Sequence, residues 1–217
     1  MRAMSSRRGF IGASVGAALA GGAGAAGEAA VAGSPYDLAA VRATLHRPSR
    51  HRQVFGVARV ADGLAIGQMR HSLDAYETAL GEGPGSLHVA AVFYGRGVVM
   101  LLDDRAWRTY ALAQGLRQRG DTPVREGDGN PYWSDGANGP ALHSLAMRGA
   151  SFFACDNALA DWAAYIVSMA GASDRSLDEI HRDLRARLVP GALLVPAGVA
   201  ALNMAQEAHF TYVQATL

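Results

Sequence analysis

The sequence contains no lysine; all 20 of its basic Lys/Arg positions are arginine. This excludes a Schiff-base lysine and a Walker-type phosphate loop, because both depend on an amine. Cysteine occurs once, at Cys155, so no disulfide can close within the chain. Charged residues are sparse, at 18% of the total, and 20 basic side chains face 19 acidic ones. A near-neutral chain lacks the basic footprint of a nucleic-acid binder. Charges interrupt every apolar run beyond the N-terminal stretch, so none approaches the ~20 residues of a membrane span. The seven histidines show neither His-x-x-His nor His-Glu-x-x-His spacing, so no metal site is expected. A Gly-x-Ser-x-Gly elbow is also missing, and with it the hydrolase signature.

The N-terminus is rich where the rest is poor. Ser6-Arg7-Arg8-Gly9-Phe10-Ile11 pairs two arginines ahead of an uncharged Ala- and Gly-rich stretch, Ile11 to Gly27. Ala30 and Ala32 flank Val31 as an A-x-A-type cleavage site. The order resembles a bacterial twin-arginine export signal over residues 1–32. Export places the mature chain in the periplasm or otherwise outside the cytoplasm, soluble and free of the membrane once cleaved. It also removes Arg2, Arg7, Arg8 and Glu28, which takes the charge from 20 against 19 to 17 against 18.

Residues 33–52 read as an irregular entry segment holding Pro35, Pro48 and a short helical pattern from Tyr36 to Leu45. From residue 53 onward, strand and helix patterns alternate. Strands are expected near 53–60, 86–94, 151–155, 192–195 and 210–214. Helices are expected over Ala65–Leu80, Trp107–Leu116, Pro140–Met147, Ala158–Ala170, Leu177–Leu188 and Gly198–Ala208. Val98–Leu102 fits either a strand extension or a helix entry. Ser176 and Glu179 have capping-box spacing. The alternation predicts one α/β domain over 53–217, three-layered α/β/α around a mainly parallel five-stranded sheet.

In an open parallel sheet, ligands bind outside the carboxyl ends of the strands. Cys155, Tyr94, Gly95 and Pro196 all fall at such ends. Cys155 closes the apolar run Ser151–Ala154 and precedes a helix, where the helix dipole favours a thiolate. Exported proteins use cysteines in pairs, so an unpaired one suggests a reactive thiol or intermolecular pairing. The alternative is an inert buried thiol that packs as a small hydrophobe. Asn157 is a candidate donor to a sulfur species, and both Asp156 and Asn157 are good helix caps. Gly95-Arg96-Gly97 lacks the third glycine of a dinucleotide fingerprint and reads better as a tight turn. Asn130, Tyr132 and Trp133 make the long loop after Gly127 either a lid or an anchored connection.

Three segments carry a family resemblance: VAAVFYGRG (Val89–Gly97), GASFFACDN (Gly149–Asn157) and LVPGALLVPAGV (Leu188–Val199), the last followed by Met204 to Val213. Together they resemble the DsrE/DsrF-like sulfur-relay family over roughly residues 53–217. The resemblance implies a single α/β domain and a persulfide carried on Cys155; Asn157, next to it in sequence, and Tyr94 and Gly95, at a neighbouring strand end, are the candidate substrate-binding residues. It also implies sulfur donor and acceptor proteins as partners, and a homo-oligomer. Many relatives act in the cytoplasm, so an export signal departs from the pattern. No motif identifies a cofactor. Two functions therefore stand: an exported sulfur carrier or sulfurtransferase, and a non-catalytic small-ligand-binding or assembly module of the same fold.

Overall fold

A computed structural model describes residues 34–134, 141–170 and 175–215. The export signal expected over 1–32 lies outside them. The chain runs α1 (Leu38–Leu45), β1 (His51–Val57), α2 (Leu64–Asp74), β2 (Leu87–Phe93), α3 (Asp104–Thr109), α4 (Leu112–Gln118) and α5 (Leu142–Met147). It continues through β3 (Ser151–Cys155), α6 (Asp156–Ala170), α7 (Leu177–Ala186), β4 (Leu193–Val195), α8 (Gly198–Glu207) and β5 (Thr211–Gln214). The five strands form one sheet in the order β4-β3-β2-β1-β5, and every pairing is parallel. The expected three-layer α/β/α architecture is therefore present.

Alternation along the strands divides the core. Phe55, Val89, Ala91, Phe93, Phe152 and Ala154 pack under α2 to α7, whereas Val54, Ala90, Val92 and Phe153 pack under α1 and α8. All seven residues of β2 are buried, which explains its unbroken apolar run. Steps from β1 to β4 each move one strand along, so right-handed crossovers stack their helices on one face. The step from β4 to β5 returns past three strands, and α8 makes it on the opposite face.

Several boundaries differ from those read in the sequence. The strand expected to reach residue 60 stops at Val57, because the N–H groups of Val60 and Ala61 donate to the Asp121 carboxylate at 2.9 and 3.2 Å. Within the entry segment, the short helix read over Tyr36 to Leu45 forms as α1, Leu38–Leu45. Asp37 caps α1 by accepting from the Ala40 N–H at 2.8 Å, and Val41 and Leu45 are buried from it. The helix expected over Trp107–Leu116 is two, α3 and α4, split at Ala111 with φ +46°. Val98–Leu102 becomes neither strand nor α-helix; Gly95–Leu101 coils as a tight 3-10 run, buried from Gly97 onward. The Ser176–Glu179 capping box forms as its spacing predicts.

The long loop is anchored. Asn130 Nδ2 donates to the carbonyls of Met100 and Leu102 at 2.9 and 2.7 Å, and the Tyr132 hydroxyl accepts from the Arg125 N–H at 2.8 Å. Tyr132 is fully buried, so this part of the loop is core rather than lid. Asp135 and Gly136 lie outside the described residues.

Candidate functional site

Cys155 ends β3, paired with Val195 at the end of β4. The chain leaves β3 into α6 on one face of the sheet and leaves β4 into α8 on the other. Two neighbouring connections that diverge in this way mark the switch point of the sheet, the edge where open α/β sheets place ligands. Cys155 is the residue at that point, between the first turns of α6 and α8.

Its surroundings follow from three close approaches. Gly198 opens α8 beside Cys155: a methyl group there would fall 3.3 Å from Cys155 Cβ and 2.8 Å from Tyr94 Cβ. Only hydrogen at Gly198 lets the helix start reach the strand ends. The Asn157 N–H donates to the Pro196 carbonyl at 3.3 Å, tying the start of α6 to the loop that leads into α8. Ala197, preceding α8, has no side-chain acceptor, so the first N–H groups of α8 lack a side-chain cap. The positive end of the α8 dipole thus lies beside the cysteine.

Tyr94, Cys155 and Pro196 do share one edge. Burial, then the charge of and a hydrogen bond with Tyr212, push the Tyr94 phenol pKa up, so it is a neutral hydroxyl at physiological pH. Tyr212 in turn leans over Gly56, where a Cβ would lie 2.7 Å from its hydroxyl. Gly95 is exposed with φ +52°, and a Cβ on Gly97 would lie 2.4 Å from the Val57 carbonyl oxygen. That pair of glycines makes a tight turn packed on the end of β1, with the Gly97 N–H donating to Ala58 O at 3.0 Å. Asn157 sits inside the first turn of α6 with an exposed side chain, not at its cap, and its N–H is already engaged.

Asp156 has a role that sequence spacing did not disclose. Its carboxylate accepts from His181 Nε2 at 2.8 Å, from Arg185 Nε and Nη2 at 2.7 and 2.5 Å, and from the Tyr36 hydroxyl at 2.6 Å. It therefore joins α6 to α7 and to the segment before α1, and its charge is spent on Arg185. Burial opposes that charge, but hydrogen bonds from Arg185, Tyr36 and His181 outweigh it and hold the carboxyl below the usual carboxylate range. The only hint in the sequence was His181 and Arg185 at i,i+4 on one helix face.

Cys155 is 6% exposed, and its Cβ lies against the start of α8. A separate cavity of about 340 Å³ lies between α4 and α6, lined by Tyr110, Gln114, Tyr165, Ile166, Met169 and Arg175. It touches none of Cys155, Tyr94 and Gly198. Among the described residues no group of three or more His, Cys, Asp or Glu side chains is placed to hold a metal ion. Among them also, no helix is long and apolar enough to cross a membrane.

The fold and edge define a parallel α/β/α domain with a lone thiol at its switch point. Neither a family model nor a curated protein matches the chain. Among solved structures, a match is the protein of unknown function MTH1491 from Methanobacterium thermoautotrophicum, at 16% identity and a TM-score of 0.39, covering 76% of this chain and 98% of that one.

Proposed function

We propose that the chain is an exported sulfur carrier of the DsrE/DsrF-like kind, with Cys155 as the carrying thiol. The observation that supports it most is Cys155 between two helix starts, one of them without a side-chain cap, at the switch point of the sheet. In this reading the positive ends of two helix dipoles flank the bound sulfur. In the loading step, the Cys155 thiolate attacks the outer sulfur of a donor persulfide. The donor S–S bond breaks, a new S–S bond forms on Cys155, and the donor leaves as thiolate. An acceptor thiolate then attacks the same outer sulfur and Cys155 leaves as thiolate. Electrons balance at each step, so no cofactor is required. In this reading the donor and acceptor are both proteins, Asn157, Tyr94 and Gly95 are the residues proposed to meet them, and a homo-oligomer is compatible with this use.

A second reading rests on two specific observations, the 6% exposure of Cys155 and the cavity between α4 and α6. A cavity of this size falls in the range that holds small ligands. In that reading the thiol is core filler and the domain binds a small molecule or a subunit. Alkylation of the native protein separates the two. A carrier must open enough for a thiol to reach its sulfur, because exchange is a direct attack. Native Cys155 should then react with iodoacetamide within minutes, while a core thiol reacts only after denaturation.

A further inference from the structure

The cavity between α4 and α6 is lined without Cys155, and the carrier chemistry does not use it. It opens at the break between α3 and α4, where Tyr110 and Ala111 both line it. Ala111 holds left-handed backbone, φ +46° and ψ +46°, a conformation that alanine rarely adopts. Strain of this kind persists only where the surroundings fix it, and ligand clamps are among those places. One part of the wall is tight. A Cβ on Gly115 would fall 3.0 Å from the Trp162 ring and 3.1 Å from that of Tyr165, so α4 and α6 meet there with no room for a methyl group. Met169 of α6 also lines the cavity and is 51% exposed, which leaves apolar surface there without cover.

Volume, lining and charge together narrow the occupant. The cavity's volume of about 340 Å³ exceeds the roughly 150 Å³ that holds one benzene ring, and it is too small for a helix roughly 10 Å across. Tyr110, Tyr165 and the buried Ile166 give it aromatic and apolar walls. Aromatic side chains pack well against other rings, stacked or edge-on. The Met169 thioether adds a polarisable contact that suits an aromatic partner. Gln114 and Gln118 supply amide donors and acceptors that carry no charge. Gln118 Oε1 accepts from the Tyr165 hydroxyl at 2.7 Å, which ties that ring to α4. Arg175 is the one charged side chain among the described lining residues, and its charge is met. It donates to the Tyr110 hydroxyl at 2.6 Å and to the Glu179 carbonyl at 3.2 Å, and it lies 3.6 Å from the Asp183 carboxylate. Burial, then the hydrogen bond with and the charge of Asp183, push the Tyr110 pKa up to about 12, so its hydroxyl is neutral as well. A charged ligand would find no unmatched opposite charge here.

We propose that this cavity binds an uncharged, planar aromatic molecule of one or two rings with a polar edge. Tyr110, Tyr165, Ile166 and Met169 meet its rings, and Gln114 and Gln118 meet its hydrogen-bonding groups. The site rests on the cavity of the ligand-binding reading and gives its occupant a chemical class. A chain that carries sulfur on Cys155 can hold it equally.

Calorimetric titration of the full chain, with indole, indole-3-carboxylate and cyclohexanol as separate probes, tests this. Indole should show one saturable site. The carboxylate brings an unmatched charge and cyclohexanol lacks a π-face, so each should bind at least about fivefold more weakly. M169Q, at a residue exposed enough to change without unfolding the chain, should weaken indole by about threefold or more through lost apolar and sulfur–aromatic contact. L64Q, at a leucine 53% exposed and outside the lining, should leave it unchanged. The wild type alone also suffices: bound indole must show nuclear Overhauser effects to the Tyr110 and Tyr165 rings. No saturable indole binding, a carboxylate or cyclohexanol that binds as tightly, or indole bound without those effects would each overturn the site. So would equal binding by folded M169Q, or a loss in L64Q as large as in M169Q. Sulfur uptake at Cys155 is read separately by mass, so failure of this site and failure of the carrier proposal are told apart.

Discussion

Gly198 and Cys155 are set so close that a single added methyl would lie 3.3 Å from the cysteine Cβ and 2.8 Å from that of Tyr94. This contact brings the start of α8 onto the ends of β2 and β3. Gly198→Ala tests it. Alanine gains about 1 kcal/mol of helix propensity over glycine. Overpacking against two Cβ atoms fixed to strand ends costs about 1–3 kcal/mol. The net should be a lower urea midpoint with an unchanged slope, together with altered alkylation of Cys155. A stability rise with unchanged alkylation would show that the start of α8 packs more loosely on the strand ends than described.

Asp156 should govern acid stability in one window. Its carboxyl is held below the ordinary 3.8, so its contribution is complete above the unfolded carboxylate range and is lost as pH falls through the folded value. Asp156→Asn should cost about 2–3 kcal/mol at neutral pH. That is less than the roughly 3–5 kcal/mol of breaking a fully buried pair, since Arg185 keeps 32% of its side-chain surface in water. The difference between wild type and variant, measured by urea unfolding, should close as the pH drops below about 4.

A different group acts at higher pH. His88 on β2 is 1% exposed, 3.0 Å from Ser151 Oγ and edge-on to Phe210. Burial first, then the charges of Arg47 and Arg52, lower its pKa from 6.5 to about 4. The unfolded chain therefore binds a proton that the folded chain refuses across that interval. Stability should fall with falling pH from 6.5 to about 4 and level off in this respect below. His88→Gln should flatten that slope; an unchanged slope would assign it to other groups.

How much of this was legible follows from the range of each interaction. The apolar runs of β2 and β3 and the Ser176–Glu179 box are local patterns, and both appear where the residues put them. The gathering of Tyr94, Cys155 and Pro196 followed from one rule about strand ends. Three features were hidden for a physical reason: each joins distant parts of the chain. Tyr36 reaches Asp156 across 120 positions, and Arg185 across 29. Asp121 ends β1 from 61 positions away. The break at Ala111 was hidden too, because alanine carries no turn signal and its φ of +46° is one that alanine rarely adopts. Gly198 was read only as a helix residue, although its closeness to Tyr94 and Cys155 sets how α8 meets the strand ends.

The export proposal is tested in the cell. Replacing Arg7 and Arg8 with lysine should hold the precursor uncleaved in the cytoplasm, as judged by fractionation and intact mass. Normal processing of the double variant would remove the twin-arginine assignment, while leaving the chemistry of Cys155 untouched.

The carrier proposal meets its most direct test in intact-mass spectrometry after incubation of the folded protein with a persulfide donor. The wild type should gain one sulfur atom, lose it to an added acceptor thiol, and gain none as Cys155→Ser. Serine is close in size to cysteine and leaves the buried position filled, so the variant should stay folded. A folded wild type that takes up no sulfur would contradict the carrier function and leave the ligand-binding module in its place.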